Sequence, residues 1–84
     1  MKTLAIGRIN EEMAFYLNRT SHRNEQFKNG VITELEYYEY KCKYKAEFKG
    51  YCRSLRDIEI ITNNEYYDFY EKYIDEVNKI EGLQ

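Results

Sequence analysis

Part of the sequence occurs twice, and this repetition limits the folds open to the chain. Seven residues between positions 32 and 44 recur 29 positions later. They are Ile32, Thr33, Glu36, Tyr37, Tyr38, Lys43 and Tyr44, which correspond to Ile61, Thr62, Glu65, Tyr66, Tyr67, Lys72 and Tyr73. Two copies are too few for a solenoid, which needs at least about three repeats. We therefore interpret the copies as two equivalent helix starts within one domain.

Each copy has the residue pattern of a helix capping box. In this pattern a threonine hydroxyl accepts a hydrogen bond from the backbone N–H three residues later, and a glutamate at that position accepts from the threonine N–H. Thr33 with Glu36 and Thr62 with Glu65 both have this spacing. The sequence therefore predicts that one helix begins after Thr33 and another after Thr62.

The residues before the two caps also fit a helix junction. Ile32 and Ile61 occupy the position of a hydrophobic staple, which packs on the first turn of the following helix. Gly30 lies where the preceding helix should end, because glycine adopts the left-handed C′ conformation without a steric penalty. The second junction has Glu59 in place of glycine, so we expect its C-terminal cap to differ.

Apolar residues after each cap recur every three or four positions, which predicts helices over residues 34–57 and 63–80. β-Branched residues favour strands, so a short strand over residues 57–61 is the alternative for the segment between the helices. The seam of the first helix consists of Tyr37, Tyr40, Tyr44, Phe48, Tyr51, Leu55 and Ile58. The seam of the second consists of Tyr66, Phe69 or Tyr70, Tyr73, Val77 and Ile80.

A weaker apolar stripe predicts a third helix upstream, with Asn10 as its N-cap. Residues 1–9 suit either an extension of this helix or an extended N-terminal arm. Because the links between helices are short, neighbouring helices should be antiparallel. We expect an all-α fold, a three-helix bundle built around an antiparallel helical hairpin, in a single domain spanning residues 1–84. The upstream stripe consists of Ile9, Met13, Tyr16, Leu17, Thr20 and Phe27.

Residues 24–45 resemble the SHOCT-like short helical module. The segment FKNGVITELEY, at positions 27–37, is followed by Lys41 and Lys43. It is similar to the pattern of that module, in which a helix, the residues GIITEEEF and a lysine-rich helix follow one another. Residues 56–73 form a degraded second copy. The resemblance implies an oligomerisation or interaction element and not an enzyme.

The remaining composition argues against catalysis. One histidine and two cysteines leave too few groups for most triad or zinc schemes. Cys42 and Cys52 lie about 15 Å apart on one predicted helix, too far for a disulfide. Free thiols without a signal-peptide core or a membrane-spanning segment favour a reducing cytoplasm. We expect a cytoplasmic protein without enzymatic activity, cofactor or metal, and without a membrane partner.

Aromatic residues outside the predicted seams are the first candidates for binding a protein partner. Ten tyrosines and four phenylalanines exceed what one small core needs, and tyrosine is frequent at interface hot spots. The candidates off the seams are Phe15, Tyr38 and Tyr67. The end of the long seam extends beyond its neighbours, so it predicts either a symmetric homodimer or coverage by residues 1–9. That end consists of Tyr51, Leu55 and Ile58.

Five basic residues form a strip on one flank of the central helix, and they are the candidates for a nucleic-acid site. A basic strip beside an exposed tyrosine can follow a phosphate backbone. Residues 65–80 carry five acidic and two basic side chains, and this favours instead a pairing of the strip with acidic residues on neighbouring helices or subunits. The strip consists of Lys41, Lys45, Lys49, Arg53 and Arg56.

These observations together favour a small helical protein that acts by protein–protein binding. The richness in Tyr, Ile, Lys and Asn is typical of AT-rich genomes, including those of phages and mobile elements. The specific hypothesis is therefore a phage or mobile-element accessory protein that inhibits or modulates a host or defence enzyme. The alternatives are a nucleic-acid-binding regulator that uses the basic strip and a stand-alone oligomerisation module.

Overall fold

A computed structural model describes residues 2–83, which form three helices packed against one another. The helices are α1 (Lys2–Lys28), α2 (Glu34–Asp57) and α3 (Asn63–Ile80). Phe27 stacks on Tyr37 at 5.6 Å between ring centroids, which joins the end of α1 to the start of α2. The Asn24 amide donates to the Ile80 carbonyl at 3.2 Å, so the ends of α1 and α3 meet. The expected all-α three-helix bundle, with α2 antiparallel to its neighbours, is confirmed.

Both predicted capping boxes are present. The Thr33 hydroxyl accepts from the Glu36 N–H at 3.1 Å, and the Glu36 carboxylate accepts from the Thr33 N–H at 2.9 Å. The corresponding distances at Thr62 and Glu65 are 3.1 and 2.8 Å. The helices begin at Glu34 and Asn63, as the sequence predicts.

The repeat also holds for the side chains that follow the caps. Tyr37 and Tyr66 are both buried, whereas their neighbours Tyr38 and Tyr67 are both exposed. Seven positions further on, Tyr44 and Tyr73 are again both buried. The two copies therefore have the same local structure and expose the same tyrosine position.

The C-terminal cap before α3 does not differ from the cap before α2, contrary to the expectation from Glu59. Gly30 has a φ of 75° and Glu59 a φ of 63°, so both are left-handed. The Val31 N–H donates to the Gln26 carbonyl at 2.8 Å, and the Ile60 N–H donates to the Leu55 carbonyl at 2.9 Å. These are the same Schellman hydrogen bonds, and they satisfy the final carbonyls although a glutamate occupies the left-handed position.

The prediction of a helix start at Asn10 is wrong, because α1 already begins at Lys2. Asn10 is exposed on the helix surface, while Ile9 beside it is fully buried in the core. Ile6, Ile9 and Met13 have helical spacing, and the burial of Ile9 and Met13 with the half-burial of Ile6 continues the helix toward the N-terminus. Residues 2–9 are therefore a helical extension, and residue 1 lies outside the described residues.

The alternative of a strand over residues 57–61 is wrong. The segment after Asp57 is a turn that leads to the Thr62 cap, and no strand occurs within residues 2–83. The left-handed φ of Glu59 reverses the chain direction, which an extended strand could not do. Ile58 consequently leaves the predicted seam and is 65% exposed.

The core runs through the centre of the bundle and has contributions from all three helices. Phe48 of α2 stacks on Tyr73 of α3 at 4.8 Å between ring centroids. Burial raises the pKa of the Cys52 thiol to about 11, so this cysteine behaves as a small apolar residue. The core residues are Ile9, Met13, Phe48, Cys52, Ile61, Tyr66, Tyr73 and Val77.

Candidate functional site

The end of the long seam packs against the core at two of its three residues. Tyr51 and Leu55 are half-buried and pack against the core, to which α1 contributes Ile9 and Met13. Of the two alternatives for this end, this packing favours coverage within the chain, and the homodimer stays a prediction. Ile58 alone among the three is exposed.

The basic strip of α2 is largely engaged inside the molecule. Lys41 donates to the Glu81 carboxylate at 2.9 Å. The ammonium of Lys49 lies 5.0 Å from the centroid of the Tyr70 ring, and the guanidinium of Arg56 lies 4.5 Å from that of Tyr66. Contacts to α3 and to Glu81 just after it thus occupy three of the five strip residues. The two that make neither an ion pair nor a contact with an aromatic ring within residues 2–83 are Lys45 and Arg53.

Exposed apolar side chains gather at the end of the bundle where α1 meets α2. Val31 and Leu35 are each 66% exposed and Tyr38 is 58% exposed. Tyr38 also lines a groove of about 480 Å³ together with Phe27 and Leu83. Large exposed apolar side chains in one place mark interaction sites more often than isolated ones do. We name this surface the end patch, and it consists of Phe27, Val31, Leu35, Tyr38 and Leu83.

The second copy of the repeat shows that the fold does not require a leucine at position 35. Leu35 corresponds to Asn64 and Val31 corresponds to Ile60 at the offset of 29 residues. Ile60 packs against the core, and exposed Asn64 serves equally well in the first turn of α3. An exposed leucine at position 35 therefore has no role in helix capping or core packing.

A network of polar contacts fixes the floor of the end patch. The Tyr37 hydroxyl donates to Glu81 Oε2 at 2.7 Å, and Lys41 donates to the same oxygen. Burial raises the pKa of Tyr37, and the hydrogen bond to Glu81 adds to the shift. Burial would also raise the pKa of Glu81, but Lys41 and Tyr37 hold that pKa below its ordinary value. Phe27 stacks on the ring of Tyr37, so the groove has a rigid base.

A second surface feature lies on α1, where aromatic and arginine residues recur every four positions. The guanidinium of Arg19 lies 4.5 Å from the centroid of the Phe15 ring. The guanidinium of Arg23 lies 3.8 Å from the Tyr40 ring and donates to the Tyr44 hydroxyl at 3.3 Å. These side chains border a groove of about 320 Å³ that we name the arginine groove. It is lined by Phe15, Asn18, Arg19, His22, Arg23 and Tyr44.

The sequence-based candidates are divided between separate parts of the surface. Phe15 lies in the arginine groove and Tyr38 in the end patch, while Tyr67 and Ile58 lie toward the other end of the bundle. Sequence reasoning did not single out Arg19 and Arg23. Their spacing with Phe15 and Phe27, at positions 15, 19, 23 and 27, was the available signal.

The described residues offer few groups for chemistry. Within residues 2–83, no three His, Cys, Asp or Glu side chains converge in a way that could hold a metal ion. No helix in this part of the chain is long and apolar enough to cross a membrane. The single histidine, His22, is exposed at the edge of the arginine groove.

Comparisons with protein-family models, with curated proteins and with solved structures found no match to this chain. The likeness of residues 24–45 to the short helical module therefore stays a prediction. The end patch and the arginine groove are the features of the surface from which a function can be proposed.

Proposed function

We propose that this protein is a non-catalytic binding protein whose end patch docks onto another protein. The observation that supports this most strongly is the exposure of Val31, Leu35 and Tyr38 at one end of the bundle, with Leu35 at a position where the fold needs no apolar residue. Tyrosine and other rigid side chains concentrate binding energy because they bury a large area at little entropic cost. The end patch combines such anchors with a groove into which a partner side chain can insert.

The surroundings of the end patch favour a protein partner over a nucleic acid. Lys28 and Glu34 line the groove beside the ion pair of Lys41 and Glu81, so both signs of charge surround the apolar residues. An apolar centre with a polar rim is the usual anatomy of a protein–protein interface. A nucleic-acid site would need a surplus of positive charge, but contacts to α3 and its C-terminal end engage most of the α2 strip.

The dimensions of the bundle indicate that a partner must contact more than the end. The molecule measures 43 × 21 × 18 Å, so the end presents a cross-section of about 21 by 18 Å. The area of this cross-section is well below the roughly 800 Å² per partner that a stable interface buries. The proposed interface therefore continues from the end patch along the side of the bundle.

The nature of the partner stays a prediction from the sequence. A host or defence enzyme bound by a phage or mobile-element protein is the specific hypothesis, and a nucleic-acid regulator is the alternative. Self-association also stays a prediction. Tyr51 and Leu55 no longer support it, because both side chains pack against the core of their own chain. A dimer would have to use the end patch or another exposed surface.

The proposal can be tested with a double variant and a variant of the second repeat copy. Affinity purification from the native host should recover a stoichiometric partner with wild-type protein and not with Leu35→Asp/Tyr38→Ala. Tyr67→Ala is the matched control, because Tyr67 occupies the same position in the second copy and should leave capture unchanged. With the purified partner, the double variant should weaken binding by at least about a hundredfold, or roughly 2.7 kcal/mol.

Circular dichroism spectra should show that all three proteins keep their helicity. Equal capture by the wild type and the double variant would contradict the proposal. Loss of capture by Tyr67→Ala alone would transfer the interface to the other end of the bundle.

A further inference from the structure

We infer that the segment docking on the end patch is an amphipathic helix of the partner whose acidic side chains pair with Arg19 and Arg23 in the arginine groove. The inference rests on the proposed function and specifies the chemistry of the partner. It is carried by the charge, the position and the spacing of the arginines in the arginine groove.

The two arginines of the groove lack acidic partners. Among residues 2–83, neither guanidinium lies within 4.0 Å of a carboxylate oxygen. Arg23 is half-buried, and its hydrogen bonds go to the neutral Tyr44 hydroxyl and the neutral Gln26 side chain. A partly buried charge is normally paired, because transfer out of water is costly. Arg23 is therefore a cation held in position by neutral groups, without an ion pair among the described residues.

The aromatic contacts hold both guanidinium groups in place. Arg19 lies over the Phe15 ring and Arg23 over the Tyr40 ring. A guanidinium that rests on a ring keeps donors along its edge, and these can bind both oxygens of a carboxylate. Because the rings already restrict these side chains, they lose less conformational entropy when a ligand binds than a mobile lysine would.

The groove carries too little positive charge for a nucleic-acid backbone. Arg19 and Arg23 are the only lysine or arginine side chains among the described residues that line it. A phosphate backbone needs a longer series of cations, whereas two guanidinium groups suit two separate carboxylates.

The spacing of the arginines fits a helix. Phe15 and Arg23 border the groove and lie about 12 Å apart along α1, with Arg19 one turn from each. Glutamates four residues apart on a partner helix have the same spacing of about 6 Å as Arg19 and Arg23. Phe27 of the end patch lies one turn beyond Arg23 on α1, so the end patch adjoins the arginine end of the groove.

The test uses two synthetic probe peptides of about five helical turns. One is an amphipathic leucine–glutamate helix with its glutamates four residues apart, and the other has glutamine in place of every glutamate. Fluorescence anisotropy should show that wild-type protein binds the glutamate peptide at least about tenfold more tightly than the glutamine peptide. This preference should shrink between about 50 and about 300 mM salt as the charges are screened.

Two double variants make the assignment specific. Arg19→Glu/Arg23→Glu should remove the preference for the glutamate peptide. Arg8→Glu/Arg53→Glu makes the same change in net charge at two exposed arginines outside the groove, and it should keep most of the preference. Leu35→Asp/Tyr38→Ala should weaken the binding of both peptides to a similar extent.

Several outcomes would overturn the inference. If wild-type protein binds the two peptides equally and Leu35→Asp/Tyr38→Ala weakens the binding of both, the preference for an acidic helix is contradicted. The proposed function would still stand in that case. The absence of binding by the glutamate peptide at millimolar concentration would also overturn it. Tighter binding of single-stranded DNA, lost in Arg19→Glu/Arg23→Glu, would assign the groove to nucleic acid. A salt-sensitive dimer lost in that variant would assign it to a second copy of the chain.

Discussion

Two buried tyrosines have opposite hydrogen-bonding situations. The Tyr37 hydroxyl donates to Glu81 at 2.7 Å. Tyr73 is fully buried, and its hydroxyl has no hydrogen-bond partner among the described residues. The hydroxyl of Thr20 lies near it but donates to the Tyr16 carbonyl, and burial raises the pKa of Tyr73. One hydroxyl therefore stabilises the fold, while the other is a buried polar group without compensation.

This contrast predicts opposite effects for two identical substitutions. Tyr37→Phe should lower the free energy of unfolding by about 1.5–3 kcal/mol, because it removes a hydrogen bond to a charged group. Tyr73→Phe should leave it unchanged or raise it by up to about 1 kcal/mol, because it removes an unpaired buried hydroxyl. Urea titrations followed by circular dichroism measure both values. A loss for Tyr73→Phe as large as that for Tyr37→Phe would mean that its hydroxyl has a partner after all.

The three helices end in the same way, although only two have glycine at the left-handed position. Gly30 and Gly82 have positive φ values, as does Glu59 after α2. The Leu83 N–H donates to the Asn78 carbonyl at 2.7 Å, which matches the hydrogen bonds after α1 and α2. A side chain in the left-handed conformation costs roughly 1–2 kcal/mol because its Cβ approaches the backbone. The end of α2 therefore retains strain that the other ends lack.

Glycine at position 59 should relieve this strain. Glu59→Gly is expected to raise the free energy of unfolding by about 1 kcal/mol, the strain relieved less the entropy that glycine adds to the unfolded chain. The matched change Gly30→Ala should lower it by a similar amount, because the φ of 75° is unfavourable for alanine. Thermal melts give both shifts. A lower melting temperature for Glu59→Gly would show that the glutamate side chain contributes a contact of its own.

Helix starts could be predicted from the sequence because they depend on local chemistry. A threonine and a glutamate three residues apart satisfy the first backbone N–H groups whatever the rest of the chain does. The start of α1 could not be predicted in this way, because residues 2–9 are helical through the burial of Ile9 against distant parts of the chain. The left-handed conformation of Glu59 was missed for a similar reason. Leu55 before it packs against the core and Ile61 after it lies in the core, and this packing overrides the preference of a glutamate for negative φ.

The candidate surfaces were only partly predictable. Tyr38 and Phe15 lie off the seams, and simple helical geometry placed them at the surface. The arginine groove depends on which helix lies beside α1, because Arg23 meets Tyr40 and Tyr44 across the α1–α2 contact. Charge along one helix does not reveal such a neighbour. Only the assembled bundle shows that Arg19 and Arg23 lie in one groove.

At the scale of the whole molecule, an ion pair closes each end of the bundle. Lys41 pairs with Glu81 at the end that carries the patch, and Lys2 pairs with Glu65 at the other end, both at 2.9 Å. Hydrogen bonding to the Thr62 backbone and the charge of Lys2 lower the pKa of Glu65. Burial alone would raise the pKa of Glu81, but the contacts with Lys41 and Tyr37 outweigh this effect and lower that pKa.

The lowered pKa values predict that the bundle loses stability in acid. The carboxylates of Glu65 and Glu81 bind protons less readily in the folded protein than in the unfolded chain. Their contribution to the free energy of unfolding is therefore complete above the ordinary carboxyl pKa of 4.5. It is lost as the pH falls below that value. Glu81→Gln should therefore lower the urea midpoint clearly at pH 7 and much less at pH 3.

The control for this prediction is Glu71→Gln, which removes an exposed glutamate from α3. It should leave the urea midpoint nearly unchanged at both pH values. An equal loss for Glu81→Gln at pH 7 and pH 3 would mean that the carboxylate acts through packing and not through its charge.

The two tight turns also determine how fast the chain can find its fold. Each turn joins antiparallel neighbours through five residues, 29–33 and 58–62, so closing either hairpin costs little loop entropy. Helical bundles of this connectivity fold in microseconds to milliseconds. The α1–α2 hairpin has glycine at its reversal point and the α2–α3 hairpin does not, so the first should form earlier. Temperature-jump relaxation would then show Gly30→Ala slowing folding more than Glu59→Gly accelerates it.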